Sequence, residues 1–191
     1  MTVKEDLRVK RTKKALTEAF IQLLSEKSFE EITVNELCST ADIRRATFYK
    51  HYTDKFDFLT TYTRSLQHKF DGSTWNASAI TNPKDYYVEY ARNMASFLDR
   101  HAAAIDNLIN SNIFPTLLAI ILEHTFKETC IRLETSVGNG MELPASVETV
   151  ASMATGAVAS AIYVWLVMGK KKSADEIAVE IGDSIASLMK K

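Results

Sequence analysis

Apolar residues recur along this 191-residue chain at intervals of three and four, and nowhere convincingly at intervals of two. That period belongs to amphipathic helices. Leu16, Phe20, Leu23 and Leu24 share one face and predict a helix over 7–25. Thr33, with Glu36 three residues on, makes a capping box and opens a short helix over 34–40. Ala41-Asp42-Ile43 interrupts it, and a second short helix follows over 44–50. Asp54 caps a longer helix whose apolar face is Phe56, Leu59, Thr63, Leu66 and Phe70. The polar stretch 72–78 breaks the pattern and marks a domain boundary. Asn82-Pro83 opens the next helix, which runs to about residue 100. Further helices are expected over 102–109 and 115–137, the latter ended by Gly138-Asn139-Gly140. Pro144 starts a long helix to Gly169, and Ser173 with Glu176 caps a last one over 174–189. The expected fold is all-α, with about nine helices. It divides into an N-terminal domain over 7–70 and a C-terminal domain over 80–191.

With 46% apolar and 25% charged residues, the composition fits a globular chain and excludes a collagen-like or disordered one. The charged N-terminal stretch has no apolar segment of the signal-peptide kind, so the expected compartment is the cytoplasm. Cys38 and Cys130 lie far apart, each on an apolar-periodic face, and read as buried free thiols. Residues 149–169 carry no charge and precede Lys170-Lys171-Lys172, which is long enough for a membrane span. Their hydroxyl, Ala and Gly content favours a buried or interface helix over a span, and no membrane partner is expected.

The formal net charge of −1 speaks against a general polyanion binder. Its distribution speaks differently. Residues 4–14 carry +4 and residues 44–55 carry +3, while residues 15–43 carry −5 and the remainder −3. Two small basic segments therefore stand out from an acidic background. One leads into the first helix, and the other is the second short helix with its exit.

The stretch from Ile32 to Lys55 reads ITVNELCSTADIRRATFYKHYTDK. Two short helices joined by a three-residue turn make a helix-turn-helix, whose second helix enters the DNA major groove. Ala46 and Phe48 are expected to anchor that helix, leaving Arg44, Arg45, Thr47, Tyr49 and Lys50 to the DNA. Arg bonds guanine bidentately, and Thr meets a thymine methyl or a phosphate. Tyr49, His51 and Lys55 suit phosphate contacts, which position a protein without reading sequence. Phe48 and Tyr52 fit a small core.

These residues also match a known family. Thr33-Val34-Asn35-Glu36-Leu37, Ala41-Asp42-Ile43, Thr47-Phe48-Tyr49-Lys50-His51-Tyr52 and Asp54-Lys55 closely resemble the DNA-binding domain of TetR-like (tetracycline-repressor-like) transcriptional regulators, over roughly residues 9–66. The resemblance implies a three-helix DNA-binding unit, a homodimer and a C-terminal effector domain. It implies phosphate-side contacts from Thr33, Tyr49, His51 and Lys55, and a recognition set of Arg44, Arg45, Thr47 and Lys50. Two positions depart from the pattern. Asp42 stands where the family has Gly, and Asp tolerates left-handed backbone better than most residues. Arg44 stands where the family has a capping Ser or Thr, and Arg does not cap.

From Pro83 onward no nucleotide-binding, metalloprotease or nucleophile-elbow motif occurs. No catalytic residue, metal ligand or cofactor is expected, and His68, His101 and His124 have no spacing for metal or triad work. Trp165, Gly169, the Lys-rich turn and Ser-Ala-Asp-Glu-Ile-Ala resemble the C-terminal region of such regulators from Gram-positive bacteria. In that family the last two long helices form the dimer interface, a role that falls here on 144–169 and 174–189. The effector-pocket candidates are Tyr86, Tyr90, Met94, Phe97, Ile113, Phe114, Phe126, Tyr163 and Trp165. The leading expectation is a non-enzymatic, dimeric repressor on a pseudo-palindromic double-stranded DNA operator, released by an effector. A regulator controlled by a partner protein is the alternative.

Overall fold

The computed structural model describes residues 7–74 and 83–188, and among them the chain forms helices and no strand. The elements are α1 (Leu7–Glu26), α2 (Val34–Thr40), α3 (Arg45–Phe48), α4 (Lys55–Thr74), α5 (Pro83–Arg100), α6 (Ala102–Ile109), α7 (Phe114–Gly138), α8 (Val147–Val167) and α9 (Ala174–Leu188). Helix α4 runs through Gly72 to Thr74, past the start of the expected break, and 75–78 lies outside the described residues. Helix α8 begins at Val147, not at Pro144, because the Ser146 hydroxyl accepts from the Thr149 N–H at 3.3 Å.

Two compact units emerge. Among the described residues the first comprises 7–64 and 101–117, and the second 65–74, 83–100 and 118–188. In the first, Leu16, Phe20, Leu23 and Leu24 of α1 are buried as their spacing predicts. They meet Phe29, Ile32, Leu37, Phe48, Tyr52 and Phe58 in one core. Its aromatic rings meet mostly edge to face: Phe20–Phe58 at 5.3 Å, Tyr52–Phe58 at 5.1 Å and Phe48–Tyr52, tilted, at 5.4 Å. Residues 101–117 join through polar ties. Asn107 Nδ2 donates to Leu24 O at 2.7 Å, and the Asn112 N–H to Glu30 Oε1 at 2.8 Å.

The second unit buries Tyr87, Tyr90, Ala91 and Ala95 of α5 with Ala178, Ile181 and Ile185 of α9. The small side chains of Ala91, Ala95 and Ala178 let α5 and α9 approach closely. At Gly182 the approach excludes any side chain, since an added Cβ would overlap Val88 Cγ2. Arg92–Asp175 at 2.6 Å and Lys170–Asp99 at 2.8 Å flank the seam. By length and composition α8 could cross a membrane. Here one of its faces is buried in this unit through Val150, Ala154, Val158, Ile162 and Trp165, and Trp165 Nε1 donates to Lys172 O at 2.8 Å. Its other face exposes Met153, Gly156, Ala157, Ser160, Tyr163, Val164 and Val167. Cys38 is a buried free thiol, whereas Cys130 is only half-buried. His68 and His124 meet edge to face at 5.0 Å, a contact that sequence spacing did not indicate.

Candidate nucleic-acid interface

The turn between α2 and α3 is built by the chain's own chemistry. Thr33 caps α2: its Oγ1 accepts from the Glu36 N–H at 3.2 Å, and its own N–H donates to Glu36 Oε2 at 3.0 Å. Lys27 Nζ donates to Glu36 Oε1 at 2.5 Å and fixes the box to the end of α1. The lysine and the two cap bonds hold the Glu36 carboxyl well down, from 4.5 to about 2. At the far end, Asp42 takes φ +52, the left-handed conformation for which Asp is suited. The Asp42 N–H then reaches Ser39 O at 3.2 Å and the Ile43 N–H reaches Cys38 O at 3.0 Å, the paired bonds of a Schellman cap.

Helix α3 is four residues long, shorter than the 44–50 expected. Arg44 is its N-cap and makes no side-chain cap bond, as its chemistry requires. Helical bonding continues past Phe48 as single turns, with the Tyr52 N–H on Phe48 O at 3.0 Å. Phe48 is fully buried and pins the helix from below. Arg44, Arg45, Tyr49 and Lys50 are exposed, and Thr47 and His51 are half-buried. The Arg45 guanidinium lies 5.8 Å from the Tyr49 ring centroid. Ala46, expected as an anchor, is exposed instead: one turn of helix has room for a single buried anchor, and Phe48 takes it.

Two residues named as phosphate contacts have their donors committed inside the protein. Lys55 Nζ donates to Phe29 O at 2.9 Å, Glu30 O at 2.9 Å and Ile32 O at 2.8 Å. An ammonium has three N–H donors, so none is left for a phosphate. The cation also lies 4.7 Å from the Phe29 ring centroid. Burial pulls the Lys55 ammonium below its ordinary range, against the opposing pull of Glu30 and Glu36. The Thr33 hydroxyl donates to Glu36 Oε2 at 2.8 Å, which commits its one hydrogen. The surface the structure presents is therefore Arg44, Arg45, Thr47, Tyr49, Lys50 and His51. Lys10, Arg11, Lys13 and Lys14 of α1 are exposed as well, on the basic arm that the charge distribution singled out.

Four of the nine effector candidates, Tyr90, Met94, Phe126 and Trp165, share the core of the second unit. Tyr90 and Trp165 are buried, and Met94, Phe97 and Phe126 are half-buried in the second unit. Phe114 belongs to the first unit. Tyr163 is 44% exposed and lies on the outer face of α8 beside Val164, because Val158, Ile162 and Trp165 define the inner one. Of the two further sequence candidates, Ile113 lies in the first unit's core and Tyr86 has no described side chain. Among the described residues no group of three His, Cys, Asp or Glu side chains is placed to hold a metal ion.

No protein-family model matches the chain. Its sequence is 46% identical over 57 residues to YxbF, an uncharacterized HTH-type transcriptional regulator of Bacillus subtilis, a match that covers 29% of this chain and 15% of that protein. It is 32% identical over 114 residues to YdeS, another uncharacterized HTH-type transcriptional regulator of Bacillus subtilis, covering 56% of this chain and 53% of the relative. The matches thus span between a seventh and about half of these relatives' lengths. Among solved structures, a Syntrophomonas wolfei protein assigned to the TetR-family transcriptional regulators superposes with a TM-score of 0.76 at 16% identity, over 95% of both chains. FadR of Bacillus subtilis, a transcriptional regulator solved with stearoyl-CoA, superposes with a TM-score of 0.67 at 14% identity, over 92% of this chain and 98% of that one. The fold is that of the TetR-family regulators.

Proposed function

We propose that this protein is a DNA-binding transcriptional regulator, a cytoplasmic homodimer that represses at a pseudo-palindromic operator and is released by a small-molecule effector. One observation carries the reading: α3 is pinned by buried Phe48 while Arg44, Arg45, Tyr49 and Lys50 stand exposed around it. A short helix with a buried anchor and a cationic outer face suits the major groove. In this reading residues 7–70 form the DNA-binding domain and 80–191 the effector and dimerisation domain. The exposed Met153, Tyr163, Val164 and Val167 of α8 supply apolar surface for a second copy. The stearoyl-CoA bound to Bacillus subtilis FadR supports a small molecule as the effector. No step in this account calls for enzymatic chemistry.

The test is titration of the protein against DNA from upstream of its own gene at physiological salt. Specific retention is expected, and its absence sinks the proposal. Arg45→Ala should reduce discrimination between sites by about 1–3 kcal/mol while leaving the thermal midpoint in place. An unchanged ranking of sites would remove Arg45 from the recognition set.

A further inference from the structure

The second unit carries a line of polar groups inside an apolar core. On α7, Ile121, Thr125 and Thr129 follow at four-residue intervals and share one face. Gln67 of α4 donates through Nε2 to Ile121 O at 3.2 Å. Tyr90 Oη and Thr125 Oγ1 lie 3.1 Å apart. Tyr87, one turn earlier on α5, lies beside Thr129, and burial pushes its phenol up to about 12.

Gln67 is 3% exposed, and its Oε1 has no hydrogen-bond partner. Only the amide nitrogen can donate to the Ile121 carbonyl, which fixes the orientation of the amide. Oε1 is therefore a buried acceptor that requires an O–H or N–H donor. Thr129 is fully buried beside the Tyr87 phenol, and a hydrogen bond between the two partly offsets the upward push of burial on that phenol. Native cores rarely leave an acceptor such as Gln67 Oε1 unmatched without a functional reason.

The charge around this line selects the ligand. Lys127 and Arg132 are cations on this stretch of α7, and each has a carboxylate beside it: Lys127 Nζ lies 2.5 Å from Glu123 Oε1 and Arg132 Nη2 lies 3.6 Å from Glu128 Oε2. An anionic ligand would set its charge against the Gln67 carbonyl and compete with Glu128. The surrounding residues Tyr87, Tyr90, Met94, Phe126 and Leu133 are apolar in body. We propose that this line is the head-group site of an uncharged, mainly apolar ligand that offers an O–H or N–H donor to Gln67 Oε1. The inference rests on the effector reading above and adds the ligand's chemical class to it.

Equilibrium dialysis of the full-length protein against naphthalene, 2-naphthol and 2-naphthoate tests it, since the three share a ring system and differ in donor and charge. 2-Naphthol should bind about tenfold more tightly than naphthalene, the effect of one buried hydrogen bond, and 2-naphthoate most weakly. Gln67→Leu should erase the preference for 2-naphthol while retaining naphthalene. If Gln67→Leu does not fold, as judged by its thermal melt, Gln67→Met serves in its place. Tightest binding of 2-naphthoate, binding of none of the three, or a preference unchanged in the folded variant would each overturn the proposal. DNA retention is measured separately. Its failure with the naphthol order intact removes the regulatory reading and keeps the site, whereas the converse removes the site alone.

Discussion

The two compact units treat their polar groups in opposite ways. In the first, the groups that shape the helix-turn-helix are matched. Thr33 and Glu36 exchange bonds, Lys27 joins them, Asp54 Oδ1 accepts the Phe56 and Asp57 N–H groups at 2.8 Å each, and Lys55 meets three carbonyls. In the second, Gln67 and Thr155 keep buried oxygens without partners. A matched network has one low-energy arrangement, which suits a surface that must present Arg44, Arg45 and Lys50 at fixed spacing. A core with unmatched acceptors leaves free energy to be gained from an added donor. The first unit matches the polar groups around its turn, and the second leaves buried acceptors open.

The largest challenge to this contrast is Phe48→Ala. Removing a fully buried ring that contacts Tyr49, Tyr52 and Phe58 should cost about 3–5 kcal/mol and abolish DNA retention together with the melting transition of the first unit. A small shift in denaturant midpoint would mean that α3 is not pinned as described. Next comes Lys55→Met, which strips three carbonyls of their shared donor and should cost about 2–3 kcal/mol. Calorimetry should show the loss without DNA present. If stability holds and only the salt slope of DNA binding falls, Lys55 is a phosphate contact after all.

Gly182→Ala probes the second unit. Helix propensity alone would favour Ala by about 1 kcal/mol, but overlap with Val88 costs about 1–3 kcal/mol, so destabilisation of up to about 2 kcal/mol is expected in urea melts. An increase in stability would show that α5 and α9 can part without penalty. The smallest effect concerns acid. Glu36 is held at about 2 when folded against 4.5 ordinarily, so its contribution is complete above about pH 4.5 and is lost as pH falls through 2. Glu36→Gln should flatten that part of the stability–pH curve, and an unaltered acid limb would detach the capping box from the stability of the first unit.

Much of the fold was legible because helix ends are local chemistry. Thr33 with Glu36, Ser173 with Glu176, and Asp54 cap helices where the sequence places them. Asp42 adopts the backbone that its side chain tolerates, and Gly140, at φ +95, ends the stretch after α7 as a glycine there should. Inside and outside were harder to separate where a helix is short or evenly apolar. Ala46 faces out because one turn has room for a single anchor. Tyr163 and Trp165 look alike as aromatic candidates, but two residues correspond to 200° around a helix, so they face opposite ways. The internal bonds of Thr33 and Lys55 were not legible, because a motif records which residue recurs and not which bond it makes. Gln67 on α4 and Thr129 on α7 are buried polar residues on otherwise apolar helical faces, the sequence signal of an interior polar line.

Lys55 can also be viewed as coordination chemistry. Three carbonyl oxygens at 2.8–2.9 Å gather around one positive charge, much as a loop wraps a monovalent metal ion. Here the ion is tethered by the start of α4, so it cannot dissociate, be removed by a chelator or be exchanged as the surrounding salt changes. The 29–32 loop thus has the order of an ion-bound loop without depending on ion supply. Arginine would not replace it, because a flat fork cannot direct donors to three converging oxygens.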